Sequence, residues 1–303
     1  MKNQTNKRKD AKIFYSIMIS FPILWFLIFY VAVNVNSILL SFKNYDINTG
    51  AITFVGFENF ISFGRDFFGG VELRAAIRNS TSLFLGTVLI GMSLAVIFSY
   101  YVYKKFIGEG AFKVLLFVPT VIPSIALVIM YSYFVDRALP VAMESIFGIK
   151  MLGLLTDAKT QWGAIFAFNI IMGFGPNVLM YLSAMSRIPE DIIEYGQIDG
   201  LNYVKEFIFI VFPLVSSTIA TFFVVNIAAF FTSQGNIFSF FSERAENRLY
   251  TIGYYLFIKV QGKNSITNYP YASAGGLILT LIAAPITLIA RWLLNKITPQ
   301  VEF

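Results

Sequence analysis

The chain has no cysteine and no histidine in its 303 residues. The first absence excludes a disulfide framework, a thiolate metal site and a cysteine nucleophile. The second removes the commonest metal ligand and the side chain that titrates near neutrality. Charge is scarce too. Only 13% of residues are charged, against about 25% in soluble domains. What fills the chain instead is apolar: 57% hydrophobic and 17% aromatic residues, with a mean hydropathy of +0.69. So few charges cannot cover the surface of a soluble protein this large, so the composition predicts an all-α integral membrane protein. The net charge of +6 fits basic cytoplasmic flanks and a lipid surface rather than nucleic acid.

Six long runs carry no charge at all: 13–42, 79–103, 114–135, 160–186, 207–242 and 264–290. Roughly 20 helical residues cross a bilayer core, and every run is long enough. None alternates apolar with polar residues, which excludes a β-barrel. The expected spans are about 13–42, 79–103, 114–135, 160–186, 213–235 and 271–292, in one membrane domain over 1–303. The first run is too long for a signal peptide and no small-residue cleavage site follows it, so it reads as an uncleaved span. The next candidate, 249–258, is too short to span and reads as an interfacial or packed external helix. No repeat, linker or low-complexity stretch is present.

Orientation follows from Lys and Arg near the spans. Lys2, Lys7, Arg8, Lys9 and Lys12 crowd the N-terminal tail, Lys104, Lys105 and Lys113 join the second and third spans, and Arg291 and Lys296 follow the last. With the tail inside, 12 of the 23 basic residues lie inside and 11 outside. The inside segments are much shorter, so density rather than total count predicts that both termini are cytoplasmic.

The segment 187–213 joins the fourth and fifth spans on that side. Pro189 suits the first turn of a helix, and Glu190 and Asp191 complement its positive end. Ile192, Ile193, Tyr195 and Ile198 give it an apolar face. Asp199-Gly200 breaks it, because glycine reaches left-handed angles cheaply, and a second helix starts near Asn202. On these residues alone, an amphipathic loop resting in the headgroups explains the segment as well as a functional element does.

The spacing adds more. Glu194 is followed by Gly200 six residues on, Ile210 ten further, then Phe212-Pro213. This resembles the EAA signature of permeases of binding-protein-dependent ABC importers, which runs Glu-Ala-Ala, then Gly, then Ile-x-Leu-Pro at these intervals. The preceding Ile-Pro-Glu and the Asp-Gly pair are similar to its carbohydrate branch. Tyr195-Gly196 stand where the two alanines are usual and Phe212 where leucine is common, departures that touch packing against the partner. The stretches 41–60, 117–124 and 269–276 resemble other parts of the family. A C-terminal segment without the glycine-rich tail of the companion permease favours the first-permease (maltose F-like) type; the large external insertion found in some members is missing.

The resemblance implies a type I ABC importer permease fold with six transmembrane helices and a cytoplasmic coupling helix. It also implies partners: a second EAA-type permease, a cytoplasmic ATPase dimer and an extracytoplasmic solute-binding protein at a bacterial cell membrane. Glu194, Tyr195, Gly196, Asp199 and Gly200 are then the residues coupling the spans to the ATPase, with Glu194 a charged anchor and Gly200 the sharp turn. The chain itself lacks a nucleotide site. A phosphate-binding loop needs G-x-x-x-x-G-K-[ST], and the one Gly-Lys pair, Gly262-Lys263, has Phe257 and Asn264 at the flanking positions. No carboxylate or imidazole relay interrupts the charge-free runs, as proton coupling often requires. No cofactor is expected on this chain, ATP and Mg belong to the partner, and the chain is not an enzyme.

A sugar offers hydroxyls without charge, so its path needs uncharged donors and acceptors with aromatic faces. Asn169 and Asn226 lie inside spans, where such groups are costly unless they face a cavity or each other. Thr120 and Ser124, each directly after a proline (Pro119 and Pro123), are four apart and expected to share a face of the third span, and Phe230 follows Asn226 by one turn. Gly173-Phe174-Gly175-Pro176 is expected to open or kink the fourth span. Taken singly, each polar residue is as well explained by bonding between packed helices. The resemblance implies that Thr120, Ser124, Asn169, Gly173, Asn226 and Phe230 are the substrate path. Asn34 and Asn36 read as structural, and the 33 Phe and 16 Tyr as packing or lipid-facing residues. An importer permease for a glycerol-phosphate ester or an amino acid is the alternative. A phosphate ester would want Lys or Arg within the spans, where there is none. A membrane-embedded enzyme would need a catalytic group at depth.

Overall fold

The structure, a computed structural model, describes residues 2–46, 49–261 and 265–298. Gly262, Lys263 and Asn264, which bear on the absent nucleotide loop, lie outside the described residues. Among the described residues, six helices are long and apolar enough to cross a membrane: Lys12–Leu40, Val71–Tyr103, Ser124–Phe147, Gln161–Met185, Tyr203–Thr232 and Ile266–Ile297.

The second, fourth and fifth spans pack into one core at the end that bears the 187–213 segment, built on Tyr100, Val178, Tyr181, Met185, Ile193 and Val211. Apolar packing between helices has little drive in lipid, so polar and close backbone contacts matter more. Ser99, fully buried, lies 2.6 Å from the Ala95 carbonyl and 2.8 Å from that of Val178 across the helix pair. At the opposite end a second core gathers Phe63, Leu73, Ile237, Tyr254 and Leu279. The short helix Ile252–Gln261 lies in it with Ile252, Tyr254 and Tyr255 buried, a packed helix as its length requires. Burial pushes the Tyr254 and Tyr255 phenols up to about 12, so both stay neutral donors. Tyr254 donates to the Ser242 carbonyl at 2.6 Å. Tyr271 donates to Asp66 at 2.6 Å, which leaves Tyr255 to donate to Tyr271 at 2.8 Å.

The third span departs from the expected 114–135. Helix Glu109–Val121 ends at Ile122, with φ −80 and ψ 133, and a new helix begins at Ser124. Proline at 123 drives the residue before it out of the helical region, so the charge-free run is two helices, and the second continues to Phe147. Thr120 and Ser124 therefore stand on either side of a break rather than one turn apart on a single helix. Two other prolines are absorbed differently. Wide π turns at Phe134–Ala138 and Phe207–Val211 end two residues before Pro140 and Pro213. Proline lacks an N–H and its ring strikes the carbonyl four residues back, and a widened turn there keeps the helix running. The fifth span consequently begins at Tyr203, ten residues earlier than expected, and runs to Thr232.

The fourth span is one helix, Gln161–Met185, through Gly173 and Pro176, so the 173–176 stretch does not open it. The glycine that matters is Gly175, where a Cβ would lie 2.8 Å from the Leu116 carbonyl. A Cβ on Gly173 would meet only Asn177, at 3.9 Å. The first span is different from the rest: none of its most apolar stretch is buried within this chain. Asn34 in it donates to its own helix, to Tyr30 at 2.7 Å, a structural role as read.

Candidate coupling segment and translocation path

Helix Glu190–Ile198 starts after Pro189 with Glu190 and Asp191 in its first turn. Its end is built by two backbone bonds, Leu201 N–H to the Gly196 carbonyl and Gly200 N–H to the Gln197 carbonyl, both 3.0 Å. That pair satisfies the last carbonyls through a left-handed residue. Gly200 is that residue, at φ +77, with open space where a Cβ would go. The next helix starts at Tyr203, capped by the Asn202 side chain, which accepts from the Lys205 N–H at 2.9 Å. Such a cap satisfies one of the orphan donors of a helix start. The two short helices are therefore joined by a turn whose geometry only glycine adopts without strain.

The expected coupling residues divide by direction. Glu194, Tyr195, Asp199 and Gly200 are exposed, and Tyr195 and Ile198 are 69% and 79% exposed. Gly196 points inward. A Cβ there would lie 2.5 Å from Ile210 and 3.2 Å from Leu201, so Gly196 packs on this chain's own next helix rather than on a partner. Beside the segment lies a cavity of about 480 Å³, lined by Lys104, Lys105, Lys113, Glu190, Glu194 and Gln197 among others. It opens at the end where the basic residues gather.

Four of the six expected path residues fall on two separate cavities, and Asn169 and Gly173 line neither. Asn226 and Phe230 line one of about 100 Å³ with Ser80, Thr87 and Ser233. Asn226 donates to the Phe222 carbonyl at 2.9 Å and lies 3.6 Å from the Met92 sulfur. Thr120 and Ser124 line another of about 390 Å³, with Phe168, Pro176 and Asn236. Small-ligand sites run from about 300 to 1,000 Å³, so the second is of ligand size and the first is constricted.

Asn169 faces neither cavity. Its amide donates to the Ile165 carbonyl at 2.8 Å and the Gly235 carbonyl at 3.0 Å, and its Oδ1 accepts from Asn236 at 2.8 Å. Both amide protons are spent inside the chain, so Asn169 is a latch on the 233–236 turn rather than a wall of the path. That turn sits between the cavities, with Ser233 lining one and Asn236 the other. Asn236 was missed in the sequence. It lies beyond the helical pattern in a Ser-Gln-Gly-Asn stretch, and its left-handed backbone at φ +56 is what turns it back toward the third span. Glu206 was missed as well. It ends the charged stretch just before the fifth charge-free run, and the structure buries it, 1% exposed.

These features define a multi-pass helical transport protein: six apolar helices, polar uncharged cavities among them, and a capped two-helix segment at one end. Residues 87–302 match the binding-protein-dependent transport system inner membrane component, and the chain belongs to that family. It is thus a membrane component of an ABC importer and not the catalytic subunit. It is 22% identical, over 74% of its length and 72% of the relative's, to the arabinooligosaccharides transport system permease protein AraP of Halalkalibacterium halodurans. It is 26% identical to the multiple sugar-binding transport system permease protein MsmF of Streptococcus mutans, over 51% of this chain and 53% of the relative. Among solved structures, a chain of a bacterial ABC transporter that imports the acidic polysaccharide alginate superposes with a TM-score of 0.77 at 19% identity, covering 99% of this chain and 100% of that one. A chain of the alginate transporter in complex with an alginate pentasaccharide-bound periplasmic protein gives the same TM-score at 18% identity, covering 97% of each. These superpositions establish the type I importer fold.

Proposed function

We propose that this chain is the first-permease subunit of an ATP-driven sugar importer. It would pass a neutral mono- or oligosaccharide, handed over by an extracytoplasmic binding protein, through a path shared with a second EAA-type permease. The observation that carries the reading is the glycine-turned segment 190–206, which presents Glu194, Tyr195 and Ile198 outward at the basic end of the bundle. A protruding, rigidly capped helix pair is what a separate ATPase can push on, and ATP and Mg are proposed to bind on that subunit. The first span supports a second permease, since an apolar stretch that its own bundle leaves unburied has lipid or another membrane chain as its neighbour. Sugar relatives and cavities lined by hydroxyls, amides and phenyl rings support a saccharide. The basic residues at the coupling end support cytoplasmic termini.

The test is copurification with the ATPase, the second permease and the binding protein, followed by a screen of solutes for stimulated ATP hydrolysis. Neutral oligosaccharides should stimulate. Stimulation by glycerol phosphate or amino acids alone would overturn the sugar reading. Orientation is checked separately with a C-terminal reporter that fluoresces only in the cytoplasm. Bright cells are expected, and a dark, folded fusion would reverse the topology.

A further inference from the structure

Glu206 is the one charged side chain among the described residues that is fully buried, at 1% exposure. Its two oxygens lie 2.9 Å and 3.1 Å from the Lys104 ammonium. The Tyr100 hydroxyl lies 2.9 Å from both Glu206 and the Tyr203 carbonyl. Lys104 also sits 5.5 Å over the Tyr203 ring, and the Tyr100 ring is 4.9 Å from that of Phe207. Every one of these contacts runs from the end of the second span to the base of the fifth, across about a hundred residues of sequence. Burying an ion pair is expensive, and an apolar pair of the same volume commonly packs as well or better. What an ion pair adds is a fixed partner and direction. Glu206 lies in the first turn of the fifth span, just after the Gly200 turn, and Tyr100 and Lys104 end the helix that carries Ser80 and Thr87. Those two residues and Asn226 with Phe230 are opposite walls of one cavity.

We propose that Lys104 and Glu206 are positioning residues that clamp the second span to the base of the fifth. Displacement of the coupling segment then moves both spans together and keeps the two walls of the Asn226 cavity in register. The proposal rests on the coupling role given to 190–206 above. Loss of the clamp leaves the fifth span driven and the second span lagging.

Because this chain has no cysteine, a single introduced thiol is the only one on it. In the complete transporter, with both permeases, ATPase and binding protein, single cysteines are placed at Thr87 on the second span and at Ala229 on the fifth. Their rates of reaction with a membrane-impermeant thiol reagent are measured with and without Mg and a non-hydrolysable ATP analogue. In the unaltered background both rates should change by about threefold or more, the scale of coupling along such elements. In Glu206→Gln and Lys104→Met the Ala229 position should keep its response and the Thr87 position lose it. The charge-exchanged double variant Lys104→Glu/Glu206→Lys should restore it. An undiminished Thr87 response in the single variants, or equal loss at both positions, overturns the clamp. Should the single variants fail to assemble, the exchanged double variant decides: a retained Thr87 response supports the clamp and a lost one overturns it. If neither position responds to nucleotide in the unaltered background, the coupling role of 190–206 fails, and the clamp with it.

Discussion

Replacing Gly200 by valine is expected to abolish most sugar transport while membrane insertion stays normal. The structure makes this substitution unusually easy to interpret. Nothing lies within 4 Å of a Cβ at that position, so the cost is backbone strain alone, about 1–2 kcal/mol for a left-handed residue and more for a branched one. The strain is relieved by abandoning the turn, which breaks the two bonds that end helix Glu190–Ile198 and re-aims Glu194 and Tyr195. Gly200→Asn should be milder, since asparagine enters that region more readily. Glu194→Ala removes the exposed charge without touching the turn. It should weaken ATPase association and leave the thermal stability of the isolated chain unchanged. The measurement is transport and ATPase copurification in parallel. Wild-type transport with full ATPase association in both Gly200→Val and Glu194→Ala would remove the coupling role from this segment.

Asn226 and Asn169 should behave differently from one another. In Asn226→Ala the half-saturating sugar concentration should rise, or the preferred sugar change, because a hydroxyl left unpaired in a closed site costs about 1–3 kcal/mol. Assembly should persist, since the amide holds only its own helix and a sulfur. Asn169→Ala removes a group that bonds the turn on both sides. It orphans the Asn236 amide and the Gly235 carbonyl, which should lower stability by a similar amount and depress transport of every sugar alike. Thermal unfolding in detergent beside sugar titrations separates the two. Unchanged affinity and preference in Asn226→Ala would take it off the path, and a selective sugar effect without destabilisation in Asn169→Ala would restore it as a contact residue.

The spacing from Glu194 to Gly200 to Pro213 was legible because it depends on residue type at fixed local intervals. The turn after Ile198 needs a residue that takes a positive φ cheaply, which glycine at 200 supplies, and Pro189, Asp191 and Asn202 mark helix starts by local rules. Charge-free runs likewise marked all six spans, since a bilayer tests each helix one at a time. The third span shows the limit of that measure. Hydropathy counts Pro123 as one residue in a run, whereas its effect on Ile122 is steric and splits the helix.

Composition and local spacing by themselves determined the solvent, the number of spans and the helix–turn–helix at the basic end, because each follows from short-range chemistry. Only the tertiary structure decided which polar residues face a cavity and which spend their bonds on a neighbour. Asn169 and Asn236 are separated by most of two spans, and no pattern within either helix says that one will hold the other. Gly173 and Gly175 are indistinguishable in sequence, yet only one meets the carbonyl of Leu116. Nothing local to Glu206 says that a lysine a hundred residues away will enclose it. In each case the deciding contact is between helices, and its energy depends on which atoms the bundle brings within 3 Å of each other.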